Sequence, residues 1–210
     1  MPKLMHKLYD DLDKAKAFAL SFTNFTYFYG DICFADYEKV LCEACGKAVQ
    51  DKDYLCPKAN CKKPTSILAS WEFGVSPELR DELLANFDVT EADFRPIRTK
   101  RGEVVYYQIT PQHTLLPLHE ENDWPIQECC SKCGNVRYDR RIQKENDLGE
   151  PYFHITSEAL ASMSDLNVTF ERFSMDFPLF VISRRLYDFL IERYPRTHYF
   201  PFYLKEDKTQ

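Results

Sequence analysis

The stretch FVISRRLYDFLIERY, residues 180–194, contains the local signals of a strand followed by a helix. A short apolar, β-prone run comes first, and Ser183 is a residue type that often caps a helix N-terminus. Leu186, Leu190 and Tyr194 recur at intervals of four and line one face of the predicted helix. The stretch therefore predicts a strand, a serine cap and a helix that presses one face on a core.

A second stretch, FGVSPELRDELLANF at residues 73–87, follows the same pattern 107 residues earlier in the chain. Ser76 stands at the cap position, and Leu79, Leu83 and Phe87 occupy the matching helix face. Because the cap and the apolar spacing agree, the two stretches form a candidate internal repeat. The alternative is coincidence, since strands followed by serine-capped helices are common.

The same four-residue pattern follows each predicted helix, at 94–97 and at 199–202. It consists of an aromatic residue, any residue, proline and an apolar residue. The second copy lies within YFPFYL, which predicts a buried strand rather than a base-stacking platform because no Lys or Arg is interleaved. The predicted fold class is thus α+β, with two similar strand-helix-strand halves at approximately 25–110 and 125–205.

The N-terminal region carries roughly one apolar residue per helical turn, with Asp and Lys between them. The apolar positions are Leu4, Leu8, Leu12, Ala15 and Ala19. This spacing predicts an amphipathic helix over approximately 3–20. The aromatic segment 25–41 predicts a strand or hairpin, and the polar segment 47–66 predicts a loop.

Two copies of the motif CxxCG precede the two capped helices. They are Cys42, Cys45 and Gly46 in the first copy, and Cys130, Cys133 and Gly134 in the second. Two residues between the thiolates let one tight turn present both sulfurs to a tetrahedral ion, and glycine allows the positive φ that the turn needs. Two such knuckles predict one structural four-cysteine Zn²⁺ site, and the fold's two halves would be joined by this zinc-ribbon-like pair. A redox role for each CxxC is the weaker alternative.

The choice of ligands is open at this point. Cys42 and Cys45 pair either with Cys130 and Cys133 across the chain or with the nearby Cys56 and Cys61, which would form a local ribbon. The matching knuckles favour the long-range set. A third arrangement uses two sites that include Cys129 or Cys33.

Composition excludes several function classes. The 210 residues carry a net charge of −6, which argues against nucleic acid as a partner. The six glycines do not form a phosphate-binding loop. No stretch is long and apolar enough to suggest a membrane segment or a signal peptide, so we expect a cytoplasmic protein, no membrane partner and reduced cysteines.

No catalytic motif is evident in the sequence. The five histidines form no HExxH pattern, and no serine lies in a GxSxG elbow. We therefore predict that the protein is not an enzyme. Acidic residues are dense over 78–93 and 120–123, where they form either an anionic docking surface or simply a solvated face.

The two knuckles, the run VTFERFSMDFPLFVISRRLYDFLIERY at 168–194 and the closing YFPFYL resemble the double-CxxCG immunity proteins of bacterial polymorphic toxin systems. The resemblance extends loosely over residues 30–204. Cys56 and Cys61 depart from the two-knuckle pattern of that family, which keeps the choice of ligands open.

The resemblance implies a single immunity-protein domain over 1–210 that binds and neutralises a cognate toxin domain, in a 1:1 complex that occludes the toxin's active site. It identifies no partner-binding residue, because immunity proteins contact toxins through variable surfaces. Two other functions stay open: a zinc-ribbon adaptor that binds nucleic acid or another protein, and an enzyme that reverses the toxin's modification.

Overall fold

The computed structural model confirms a mixed α+β fold that consists mostly of β-sheet with few helices. The structure describes residues 5–20, 42–47, 67–69, 73–99, 101–140, 144–173, 177–194 and 198–205. Within these ranges, no helix combines the length and the apolar character that a bilayer crossing requires.

The described strands, in chain order, are β1 (Ala17–Leu20), β2 (Ile67–Ala69), β3 (Phe73–Val75), β4 (Phe94–Arg98), β5 (Val104–Ile109), β6 (His113–Thr114), β7 (Ile126–Cys129), β8 (Val136–Tyr138), β9 (Lys144–Glu145), β10 (Pro151–Ile155), β11 (Leu166–Val168), β12 (Phe180–Ser183) and β13 (Tyr199–Leu204). The described α-helices are α1 (Met5–Leu8), α2 (Pro77–Asn86), α3 (Ser157–Ser162) and α4 (Arg184–Arg193).

The chain divides into two compact units. The first unit contains the described residues of 1–21, 113–129 and 136–210, and the second contains those of 22–112 and 130–135. Both predicted strand-helix-strand motifs are present as β3-α2-β4 and β12-α4-β13. The similarity of the larger halves, 25–110 and 125–205, stays a prediction.

The first unit is built on a seven-stranded sheet with the order β6-β11-β12-β1-β13-β10-β9. Strand β1 lies near its centre and pairs antiparallel with both β12 and β13. Helix α4 packs against β1 and β12. Phe18 of β1 stacks on Tyr187 of α4, with ring centroids 3.6 Å apart and planes 11° apart. The predicted C-terminal strand is therefore confirmed, and it lies in the core: Tyr199, Phe202 and Tyr203 are almost completely buried.

The second unit contains a four-stranded antiparallel sheet with the order β2-β3-β5-β4. Helix α2 packs against β5. Ser76 caps this helix, since its Oγ accepts a hydrogen bond from the Leu79 amide at 3.3 Å. Leu79 and Leu83 are the buried residues of the helix, as its apolar spacing predicts, whereas Phe87 lies at the C-cap position just past the helix and is half-buried.

The prediction of an N-terminal helix over 3–20 is wrong. Helix α1 spans only Met5–Leu8, a 3-10 turn occupies Leu12–Lys14, and Ala17–Leu20 form strand β1. All four residues of β1 are buried, because other strands pair with both of its edges and side chains pack on both of its faces. Phe18 stacks on Tyr187 of α4, and Ala17 and Ala19, which alternate with it, belong to the apolar core cluster. A strand buried on both faces lacks polar alternation, so a short apolar run of this kind cannot be told from a helix by periodicity. The predicted strand or hairpin at 25–41 lies outside the described residues, as does nearly all of the predicted loop at 47–66.

Candidate metal centre

The first knuckle, residues 42–47, is a tight turn closed by backbone hydrogen bonds. The Cys42 amide donates to the Lys47 carbonyl at 2.7 Å, and the Gly46 amide donates back to the Cys42 carbonyl at 2.8 Å. Gly46 has a φ of +73°, a conformation that side chains disfavour. The predicted reason for the glycine in CxxCG is therefore confirmed here.

The second knuckle, residues 130–135, repeats this geometry at equivalent positions. The Cys130 amide donates to the Asn135 carbonyl at 2.8 Å, and the Gly134 amide donates to the Cys130 carbonyl at 2.8 Å. Gly134 has a φ of +70°. The same sequence motif thus forms the same turn twice, at positions 88 residues apart.

The two knuckles bring Cys42, Cys45, Cys130 and Cys133 together in the second unit, with all four Sγ atoms within 4.8 Å of one another. The Cys42 and Cys130 sulfurs are 4.0 Å apart, and the Cys45 and Cys133 sulfurs are 3.6 Å apart. This is the long-range set that the matching motifs favour. Its four sulfur donors are compatible with a metal site.

Backbone amides point at all four sulfurs. Those of Ala44 and Cys45 donate to Cys42, and those of Lys132 and Cys133 donate to Cys130. The Lys47 amide donates to Cys45, and the Asn135 amide donates to Cys133. N–H groups aimed at sulfur stabilise negative charge there, and thiolate is the form of cysteine that ligates a metal. The donor set therefore fits a cation bound by thiolates.

The inner and outer sulfurs of the two knuckles differ in acidity. Two amide hydrogen bonds lower the pKa of the Cys42 thiol to about 7, and the equivalent pair lowers the pKa of Cys130. At Cys45 the Lys47 amide lowers the pKa, but burial and the three neighbouring thiols outweigh it and raise the pKa to about 12. At Cys133 the Asn135 amide lowers the pKa, but burial and the Cys130 and Cys42 thiols outweigh it, so the pKa is raised there as well. A bound dication would favour the thiolate at all four positions.

An ion pair between Lys132 and Glu43 joins the two knuckles beside the sulfurs. Both side chains are exposed, and exposed pairs contribute only about 0–1 kcal/mol. The ion pair therefore contributes little to the stability of the four-sulfur cluster.

The remaining cysteines fall into two groups. Cys129 is exposed and is not part of the four-sulfur cluster. Cys56 and Cys61, the alternative ligands, and Cys33 lie outside the described residues. Among the residues that the structure describes, the four cysteines are the only group of three or more Cys, His, Asp or Glu side chains arranged to hold an ion.

Glu171 is a buried polar site that the sequence analysis missed. Its side chain is fully buried, and its Oε1 accepts hydrogen bonds from the amides of Leu118 and His119 at 2.6 and 2.8 Å. The His119 Nδ1 lies 3.1 Å from the same oxygen. Because Glu171 and His119 are 52 residues apart, no local pattern could have paired them. These contacts hold residues 118–119 against the segment that follows β11.

The two acidic segments carry partly neutralised charge. In 78–93, Arg80 forms ion pairs with Asp81 and Glu91. In 120–123, Glu121 pairs with Lys205 at 2.7 Å and Asp123 pairs with Lys144 at 3.3 Å. Several of the acids that composition singled out therefore have internal partners.

Comparison of the chain with protein-family models, with curated proteins and with solved structures finds no match in any of the three.

Proposed function

We propose that this protein is an immunity protein that binds a cognate toxin domain in the cytoplasm and neutralises it by occluding its active site. The observation that supports the proposal is the pairing of the two CxxCG knuckles into one four-sulfur cluster. The knuckles are one part of the resemblance to double-CxxCG immunity proteins; zinc ribbons occur in many families, so the C-terminal run at 168–194 and the closing YFPFYL carry the rest of it. In this proposal the protein itself catalyses no reaction.

The metal in this proposal is one structural Zn²⁺ held by Cys42, Cys45, Cys130 and Cys133. Four thiolates on two glycine-terminated turns are the typical donor set of a closed tetrahedral zinc site. Four protein ligands leave no position for a substrate, so the ion would stabilise structure rather than activate water. It would join one knuckle from each of the two predicted halves in a zinc-ribbon-like arrangement.

Occlusion requires a preorganised surface rather than chemistry. A standard protein-protein interface buries about 800 Å² on each partner, and rigidity of that surface lowers the entropic cost of binding. A metal that fixes two turns far apart in sequence would supply part of this rigidity. The proposal therefore predicts a stable 1:1 complex.

The metal is tested by elemental analysis of reduced protein together with thermal unfolding. We expect about one zinc per chain in the unsubstituted protein. Cys42→Ser and Cys130→Ser should each remove the zinc and lower Tm by the same amount, because each breaks the same site. Cys129→Ser is the matched control, since it removes a neighbouring exposed thiol outside the cluster, and it should leave zinc content and Tm unchanged.

Substitution of Cys56 distinguishes the two ligand sets. Cys56→Ser should be milder than Cys130→Ser if the long-range set holds the ion. A severe Cys56→Ser combined with a harmless Cys130→Ser would establish the local ribbon of Cys42, Cys45, Cys56 and Cys61 instead.

The function is tested by co-expression of this chain with a candidate toxin encoded by a neighbouring open reading frame. We expect the cells to survive, and we expect a 1:1 complex by size-exclusion chromatography with light scattering. Protection without a complex would indicate an enzyme that reverses the toxin's modification. Failure to protect, combined with an electrophoretic shift of nucleic acid at low salt, would indicate the adaptor instead.

A further inference from the structure

The four clustered cysteines differ in their access to solvent. Cys42 and Cys130, the inner pair, are 6% and 5% exposed. Cys133 is exposed and Cys45 is half-buried, and these two form the outer pair. A small solute that reacts with sulfur would therefore reach the outer pair first.

The sulfurs of the outer pair are also closer to each other than those of the inner pair. They are 3.6 Å apart, against 4.0 Å for the inner pair. A disulfide requires a sulfur separation of about 2.05 Å, so the outer sulfurs would have to approach by about 1.5 Å. Each inner sulfur accepts two backbone N–H groups and each outer sulfur accepts one. A bound dication would keep all four sulfurs as thiolates, and among thiolates the outer ones, with fewer N–H donors, retain more electron density for attack on an oxidant.

We propose that the outer pair is a redox-sensitive release point: a hydroperoxide oxidises Cys45 and Cys133 to a disulfide, and the metal then leaves the site. This inference rests on the proposed zinc centre. The disulfide would connect the same two knuckles that the metal had joined, so the turns stay tethered after the ion is lost.

The chemistry balances with hydrogen peroxide as the oxidant. The Cys133 thiolate attacks one peroxide oxygen, the O–O bond breaks, and the departing hydroxide takes a proton to become water. The Cys45 thiolate then attacks the sulfenic sulfur of Cys133, the S–S bond forms, and a second hydroxide leaves and takes a proton. Two thiolates are oxidised, one peroxide is reduced to two waters, and the zinc retains only Cys42 and Cys130.

The experiment treats reduced, zinc-loaded full-length protein with hydrogen peroxide. Released zinc is measured with a chromogenic chelator, free thiols are counted, and disulfides are mapped by mass spectrometry after alkylation. We expect one zinc released and two thiols lost per chain, with Cys45–Cys133 as the disulfide found. A thiol reductant plus zinc should restore the starting state, and catalase-treated peroxide should have no effect.

Cys129→Ser is the control variant, because it retains all four clustered cysteines and removes the exposed thiol beside Cys130. It should release zinc to the same extent and form the same disulfide. Zinc loss without a disulfide, or with any disulfide other than Cys45–Cys133, would overturn the redox proposal and leave the zinc centre standing. Such disulfides include Cys42–Cys45 or Cys130–Cys133 within one knuckle and any that involves Cys33, Cys56, Cys61 or Cys129. Reduced protein that holds no zinc before treatment would overturn both.

Discussion

Helix α2 in the second unit and helix α4 in the first begin in the same way. Each contains ten residues and follows a strand and a serine cap. Ser76 has φ −66° and ψ 158°, and Ser183 has φ −64° and ψ 161°. Each serine accepts a hydrogen bond from the amide three residues on. The local start of the helix is thus nearly the same in two different sheets.

The two helices differ in how much of their surface is buried. Helix α2 buries two residues, whereas α4 buries four. At the fourth helical position α2 has Arg80 and α4 has Tyr187, which is 2% exposed. Arg80 lies over the Tyr107 ring at 4.5 Å and reaches exposed acids. The comparison shows that capping is a property of the local sequence, whereas the width of the buried face depends on the sheet that receives it.

The largest expected loss of stability comes from substitution of the fourth residue of helix α4. Tyr187→Ala should lower the free energy of unfolding by about 3–5 kcal/mol, because it removes a buried ring that contacts Phe18 and Tyr199. Arg80→Ala, the matched substitution in α2, should cost about 1 kcal/mol or less, since the two carboxylates with which Arg80 pairs are exposed. Urea unfolding followed by circular dichroism measures both. Equal losses would contradict the proposed difference between the helices.

The next largest loss of stability is expected from the buried leucines on the matching apolar faces of the two helices. Leu83→Ala and Leu190→Ala should each cost about 2–5 kcal/mol in the same urea experiment, because these leucines are 2% and 5% exposed. Leu148→Ala, at a leucine that is 63% exposed, should change stability by less than about 0.5 kcal/mol. A loss near zero at Leu83 or Leu190 would refute the matching of the two helices.

Loss of either serine cap should lower stability by less than loss of a buried leucine, and the two caps should differ only slightly. Ser76→Ala should cost about 1 kcal/mol, as loss of a cap usually does. Ser183→Ala should cost more, about 1–2 kcal/mol, because the Ser183 hydroxyl also donates to the nearly buried Asp165. Ser76→Thr and Ser183→Thr retain the hydroxyl and should recover most of the stability in thermal unfolding. If the serine-to-alanine losses are the same, the Asp165 contact contributes nothing.

The smallest expected effect is a pH dependence near the end of α4. Burial lowers the pKa of His198, although Glu150 at 3.5 Å opposes the shift. The folded state therefore favours neutral His198, and its contribution to stability is present above about pH 6.5 and is lost as pH falls through the folded-state pKa. His198→Gln should flatten the loss of stability between pH 7.5 and 5.5 in urea unfolding. The α2 region, residues 73–99, contains no histidine, so no substitution there should change this slope in the same way. An unchanged slope in His198→Gln would contradict the prediction.

Sequence patterns predicted the parts of the fold that short-range chemistry controls. The serine caps, both helices, the glycine turns of the knuckles and the buried strand β13 all depend on residues within about one or two turns of one another. Strand β1 could not be predicted in this way. Ala17–Leu20 becomes a strand because β12 and β13 supply hydrogen-bonding partners from the far end of the chain.

The candidate site likewise has features that local sequence controls and features that depend on distant contacts. The sequence by itself determined that two CxxCG motifs would form sulfur-presenting turns, because the backbone hydrogen bonds and the positive-φ glycine lie within each six-residue segment. Only the tertiary structure decided which turns meet, placing Cys42 and Cys45 beside Cys130 and Cys133 and leaving Cys129 outside the cluster. It likewise brought His119 to Glu171. Contacts between residues so distant in sequence depend on the summed packing of many strands, and no motif of a few residues encodes that sum.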